Sequence, residues 1–115
     1  MDPNCIFCKI VTGESPSSIV YKDENIVAFL DIHPATPVHI LIVPHQHIPS
    51  INHITSDHET LLGKMYTVAK QLAVENGISE SGYRLIINSG PDARQAVNHL
   101  HLHLLGGREM RFPMG

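Results

Sequence analysis

The run His99-Leu100-His101-Leu102-His103-Leu104-Leu105 decides how this chain is read. Polar and apolar residues alternate strictly, and successive side chains of a strand point to opposite faces. Leu100, Leu102 and Leu104 therefore belong against a core while His99, His101 and His103 share the other side. That makes a strand the natural reading and pins its register. Same-face neighbours lie roughly 6.5–7 Å apart, so a phosphate-sized group over His101 stays within reach of His103. A merely solvent-facing strand would be served as well by Thr, Lys or Glu; three imidazoles point to chemistry. Spacing alone leaves two chemistries open: a catalytic metal held by several imidazoles, or a nucleophile. A neutral imidazole nitrogen attacks phosphorus without first losing a proton, provided the other nitrogen keeps its hydrogen against an acceptor. His101, the middle member, is the candidate nucleophile.

The last strand is expected over Val97–Leu105, closed by Gly106-Gly107. The nearly all-apolar Ile40-Leu41-Ile42-Val43, preceded by His39 and stopped by Pro44, fits a central strand covered on both faces. His39 at its edge either orients the nucleophile or is simply core. Ser18–Tyr21 and Ile26–Leu30 read as a hairpin turning at Lys22–Asn25, and Tyr83–Ile87 as a further strand. Asp31–Pro37 and Asn88–Gln95 are loops. A short helical turn covers Cys5–Thr12. The long helix runs from Asp57 to about Glu75, with Ser56 and Glu59 at capping-box spacing and Asn76-Gly77 as the stop. Its Leu61, Met65, Val68 and Leu72 fall on one stripe, with Leu62, Ala69 and Ala73 beside it. The sum is an α+β domain: a mostly antiparallel sheet with one long helix packed on it.

The bulk properties restrict the function. At 115 residues the chain suits a single domain, residues 1–115. A net charge of −3 with only eight Lys and Arg gives no basic stripe, so generic nucleic-acid binding has no electrostatic support. A small anion can still be held by backbone N–H groups. No apolar run approaches the ~20 residues of a membrane span, and Met1-Asp2-Pro3-Asn4 does not resemble a signal peptide. A soluble, cytoplasmic protein is expected. Nine histidines, dispersed rather than in a terminal run, are an unusual load.

Two cysteines, both near the N-terminus, argue against a disulfide scaffold. Cys5-x-x-Cys8 has zinc-ligand spacing; a thioredoxin-like redox pair would need a preceding strand, which residue 5 lacks. Ordinary buried cysteines are the alternative. His45, His47 and His53 are candidates to complete a metal site.

The triad run resembles the signature of the histidine triad (HIT) superfamily, His-φ-His-φ-His-φ-φ, and the likeness extends along nearly the whole chain. Cys5-Ile6-Phe7-Cys8-Lys9-Ile10 resembles the family's opening, Phe29-Leu30-Asp31 its first sheet and Pro37–Pro44 its central strand. Asn88-Ser89-Gly90 with Gln95-Ala96-Val97 resembles its phosphate loop, and Leu105-Gly106-Gly107-Arg108 its ending, which is similar to the Hint branch. The resemblance implies a five-stranded sheet joined to a second copy's across a homodimer. It also implies hydrolysis of purine nucleoside phosphoramidates, AMP- or GMP-type conjugates, through a nucleotidyl-histidine on His101.

By the same resemblance His103 contacts the phosphoryl oxygens, the backbone carbonyl of His99 accepts from His101, and His39 is a supporting fourth histidine. Asn88, Gln95 and backbone N–H groups near Ala96 would surround the phosphate. Asp31 would bind ribose hydroxyls, and Ile6, Phe7, Phe29, Ile32 and Leu41 would wall the base pocket. A structural zinc would be held by Cys5, Cys8, His47 and His99. Three positions depart from the pattern: Ala96 where many Hint relatives carry Ser, Arg94 in place of a small residue, and Asn98 in place of an aromatic. Loss of the hydroxyl at 96 implies a slower enzyme or a different leaving-group preference. The competing readings are a nucleotide-binding regulatory or scaffold protein with weak catalysis, a diadenosine polyphosphate hydrolase, and a zinc hydrolase using the triad as ligands.

Overall fold

A computed structural model describes residues 2–114. In chain order, helix α1 (Ile6–Thr12) precedes strands β1 (Ile19–Lys22), β2 (Ile26–Leu30) and β3 (Val38–Pro44). Two single 3-10 turns lead into helix α2 (Glu59–Glu75), followed by β4 (Tyr83–Ile86) and β5 (Leu102–Gly106). The strands form one five-stranded sheet, ordered β1-β2-β3-β5-β4 and antiparallel at every pairing. The α+β architecture is as expected.

β3 is the hub because its side chains feed two cores. Ile40 and Ile42 join Ile26, Ala28, Leu102 and Leu104 against Met65, Val68 and Leu72 of α2. Leu41 and Val43, with Val27 and Phe29, face the other way and meet Phe7, Cys8, Ile10 and Val11 of α1. A fully buried aliphatic side chain contributes roughly 1.5–3 kcal/mol, and Ile40, Ile42 and Val43 are entirely excluded from water. α1 packs on this second face against residues of β2 and β3.

Two local expectations are corrected. The final strand begins at Leu102 rather than Val97: residues 97–99 form a bend, and the backbone from His99 to His101 follows the Ile48 region, where the Leu100 N–H donates to the Ile48 carbonyl at 2.7 Å. The inside–outside alternation survives all the same, since Leu100, Leu102 and Leu104 all enter the α2-side core. The long helix is not capped by Ser56 and Glu59. Thr55 caps a 3-10 turn over Ser56–His58, its hydroxyl accepting from the turn, while the Thr55 N–H donates to His58 Nδ1 at 2.9 Å. Thr55 and Ser56 are both good caps, and the added 3-10 turn moves the box by one residue.

The β1–β2 turn is gathered on Asp23. Its carboxylate accepts from the Tyr21 hydroxyl (2.5 Å) and from the N–H groups of Asn25 (2.7 Å) and Ile26 (2.9 Å), and it pairs with Lys64 of α2 at 3.2 Å. Burial by itself would raise its pKa, but these donors outweigh burial and hold it at about 2. A carboxyl bound below its unfolded value near 3.9 contributes stability that is complete above about pH 4 and is lost as pH falls toward 2. Asp23→Asn is expected to cost about 1–2 kcal/mol in urea unfolding at pH 7 and nothing further near pH 2. An unchanged midpoint at pH 7 would contradict this assignment.

Candidate active site and metal centre

On the open face beside α1 lies a cavity of about 390 Å³. Ile6 and Phe7 of α1, Phe29 of β2 and Leu41 of β3 form an apolar wall, with Asp31, Ile32 and Ala96 along the rim and His101 and His103 at the floor. Phe7 stands edge-on to Phe29 and to His101, at 5.4 and 5.1 Å between ring centres. Nine of the residues expected around a nucleotide thus meet in one cavity. Asn88 and Gln95 do not line it. Asn88 lines a separate cavity with Arg84 and Arg94. The Gln95 amide is consumed by the backbone, accepting from Gly90 N–H at 2.9 Å and donating to the Pro49 and Val97 carbonyls at 2.7 and 2.9 Å. Its observed work is to shape the loop that presents Ala96.

Pro16, Ser17 and Leu30 also line the cavity and were missed from sequence. The antiparallel pairing of Ile19 with Phe29, extended by the Leu30 N–H to the Ser18 carbonyl, sets Ser17 beside Asp31. Following the hairpin register one pair further would have found them. His33 also lines the cavity, and its N–H donates to Asp31 Oδ1 at 2.8 Å.

Hydrogen-bond accounting fixes the tautomers on the cavity floor. His101 is buried and its Nδ1–H donates to the His99 carbonyl at 2.7 Å, which leaves Nε2 a bare lone pair. The Ala35 N–H donates to His39 Nδ1 at 3.0 Å, so neutral His39 carries its hydrogen on Nε2. That Nε2–H meets His103 Nδ1 at 3.0 Å, with Asp31 Oδ2 at 3.4 Å. His103 Nδ1 is then an acceptor and its Nε2–H a donor. Burial lowers the pKa of His101 and His39, and burial, then the neighbouring His101 and His39, pushes His103 to about 4. All three are neutral near pH 7. The floor therefore offers an attacking lone pair on His101 next to an N–H donor on His103, the two rings 4.9 Å apart between centres.

His99 belongs to a different cluster. Its Nε2–H donates to the Pro44 carbonyl at 2.8 Å, leaving Nδ1 bare. That lone pair sits 3.4 Å from Cys5 Sγ, 3.5 Å from Cys8 Sγ and 3.3 Å from His47 Nδ1, and Cys8 Sγ lies 3.3 Å from His47 Nδ1. The four donor atoms lie close enough together to hold one metal ion, the two thiols giving up their hydrogens on binding it. Two sulfurs and two imidazole nitrogens are a donor set suited to zinc, and the residues fit the metal. The Cys8 N–H donates to Cys5 Sγ at 3.4 Å, and His47 Nε2 faces Asp2 Oδ2 at 3.7 Å. Without a cation, burial raises the Cys5 thiol's pKa. His45 stands outside the cluster. The triad does not converge on one metal: His99 lies in this group, His103 in another with Asp31 and His39, and His101 in neither. That removes the zinc hydrolase built on all three. Among the described residues no helix is long and apolar enough to cross a membrane.

Residues 4–112 match the family model described as "Scavenger mRNA decapping enzyme C-term binding". The chain is 49% identical over 110 residues to the purine nucleoside phosphoramidase of Escherichia coli K12, covering 96% of this chain and 92% of that protein. The crystal structure of a HIT family hydrolase from Legionella pneumophila superposes with a TM-score of 0.95 at 50% identity, covering 97% of this chain and 100% of the other. A zinc-bound histidine triad family protein from Mycobacterium smegmatis superposes at a TM-score of 0.81 and 32% identity, over 94% and 78% of the two chains.

Proposed function

The chain belongs to the histidine triad superfamily of hydrolases, and from that premise we propose that it is a purine nucleoside phosphoramidase acting through a nucleotidyl-histidine on His101. The observation that carries this reading is the His101 Nδ1–H to His99 carbonyl hydrogen bond, which leaves the Nε2 of a cavity-lining histidine without hydrogen. In the first step Nε2 attacks the α-phosphorus and the P–N bond breaks, with the leaving amine taking a proton from solvent. In the second, water attacks the phosphorus of the nucleotidyl-histidine, the P–Nε2 bond breaks, the attacking water returns a proton to solvent, and AMP or GMP departs with His101 neutral again. His103 Nε2–H donates to a phosphoryl oxygen as charge grows on it.

The apolar wall of Ile6, Phe7, Phe29 and Leu41 takes the purine, and Asp31 with Ile32 takes the ribose. Asn88, Gln95 and the backbone at Ala96 form the phosphate loop, Gln95 acting through loop shape. His39 supports His103. Cys5, Cys8, His47 and His99 would hold zinc, which would supply a structural tie between α1 and the segment bearing His101. Residues 1–115 act as one domain, and the unpaired edge of β4 suits a homodimer with a continuous sheet. The 49% identity to a phosphoramidase favours this substrate class over diadenosine polyphosphates.

Incubating the protein with adenosine 5′-phosphoramidate and, separately, with a diadenosine polyphosphate tests the reading. Faster AMP release from the phosphoramidate is expected. Release only from the dinucleotide, or from neither, contradicts it.

A further inference from the structure

We infer that Arg108 is a positioning residue for the His39–His103 pair, acting through the backbone of Ala35. Its activity readout rests on the phosphoramidase reading; its structural readout does not. The chain leaves β5 through Gly107, whose φ of +97° favours glycine and whose absent Cβ would stand 2.9 Å from Pro37 Cβ. The segment after β5 is thereby pressed against the 31–37 loop. There Arg108 Nη2 donates to the Ala35 carbonyl at 2.9 Å and Nη1 donates to the Glu109 carbonyl at 2.9 Å. Among the described residues Arg108 pairs with no carboxylate, so these two carbonyls are what its guanidinium holds.

Ala35 is exposed and turns its two backbone groups in different directions. The carbonyl goes to Arg108, the N–H to His39 Nδ1. Anchoring one group restricts rotation at Ala35 and so keeps the other aimed. The consequence runs along the rings. While the Ala35 N–H occupies His39 Nδ1, His39 must donate from Nε2, His103 must accept at Nδ1, and His103 Nε2–H remains to meet a phosphoryl oxygen. If His39 instead carries its hydrogen on Nδ1, its Nε2 becomes a lone pair facing His103. His103 then moves its own hydrogen to Nδ1 and turns a lone pair toward the phosphoryl oxygen, which repels it.

Long-range ¹H–¹⁵N correlation spectra of protein labelled in its histidines read each ring's tautomer at pH 7, without substrate. In the native protein His39 and His103 are both expected with hydrogen on Nε2. Arg108→Ala is expected to bring in the Nδ1–H form of both and to lower kcat roughly 10- to 100-fold with KM little changed. Arg108→Lys can still donate to the Ala35 carbonyl and is expected to restore the native spectrum and most of kcat. Circular dichroism and the thermal midpoint of each variant establish that it is folded before its spectrum is read.

Native tautomers in folded Arg108→Ala would overturn the inference. So would a kcat loss with unchanged tautomers, or a lysine variant that behaves like alanine. A native protein that releases no AMP would defeat the phosphoramidase reading and leave this one to the spectra alone.

Discussion

His101→Ala is expected to lower kcat for AMP release from adenosine 5′-phosphoramidate by ~10⁴-fold or more, leaving KM close to native. The size follows from the role: the imidazole supplies the attacking electron pair, and no neighbour can replace it. His103 Nδ1 is engaged by His39, and its Nε2 carries hydrogen. His99 has its Nε2–H on the Pro44 carbonyl and its Nδ1 among the cysteines. The substitution leaves a small void beside Phe7, which touches His101 edge-on, so a folded protein with a modestly lowered melting temperature is expected. Circular dichroism and steady-state kinetics on the same preparation check both parts. An alanine variant that retains full rate would show that the attacking group lies elsewhere.

The second large effect concerns the metal. Cys8→Ala, or extraction of the metal by a strong chelator, is expected to lower stability by about 3 kcal/mol, or ~10–20 °C in thermal midpoint. Binding to the folded state alone stabilises by mass action, and the four residues that could hold the metal come from the start of α1, from the segment after β3 and from the bend before β5. Removing the metal would untie all three and leave only weak thiol–imidazole hydrogen bonds between them. Turnover should fall as a secondary consequence, because the His99 carbonyl orients His101. Elemental analysis of the native protein and calorimetry of both forms read the result. A metal-depleted protein with a native midpoint would contradict the structural role. Rapid, reversible loss of turnover with the fold intact would point to a catalytic metal instead.

Much of this was legible from residue pattern because the decisive signals were local. The stripe on α2 and the apolar run of β3 each identify an element by periodicity, and the alternation from His99 to Leu105 assigns every side chain to a face. What escaped depends on tertiary partners. The backbone from Val97 to His101 departs from the ladder because His99 is drawn to the cysteines and Leu100 to Ile48, neither of which is near in sequence. The commitment of Gln95 to Pro49 is likewise long-range. His39 was ambiguous between site and core because only the fold reveals that Ala35 N–H occupies one of its nitrogens and His103 the other. The placement of Arg108 over Ala35 carries no sequence signal, since it requires β5 and the 31–37 loop to be brought together first.

In the proposed reaction phosphorus passes through His101 by two displacements rather than one, and the stereochemical course at phosphorus distinguishes the two. A P-chiral adenosine phosphoramidate analogue is hydrolysed in isotopically labelled water and the configuration of the product is determined. Each in-line displacement inverts the centre, so attack by His101 followed by attack of water predicts net retention. Net inversion would mean that water attacks the substrate directly, and would contradict the account.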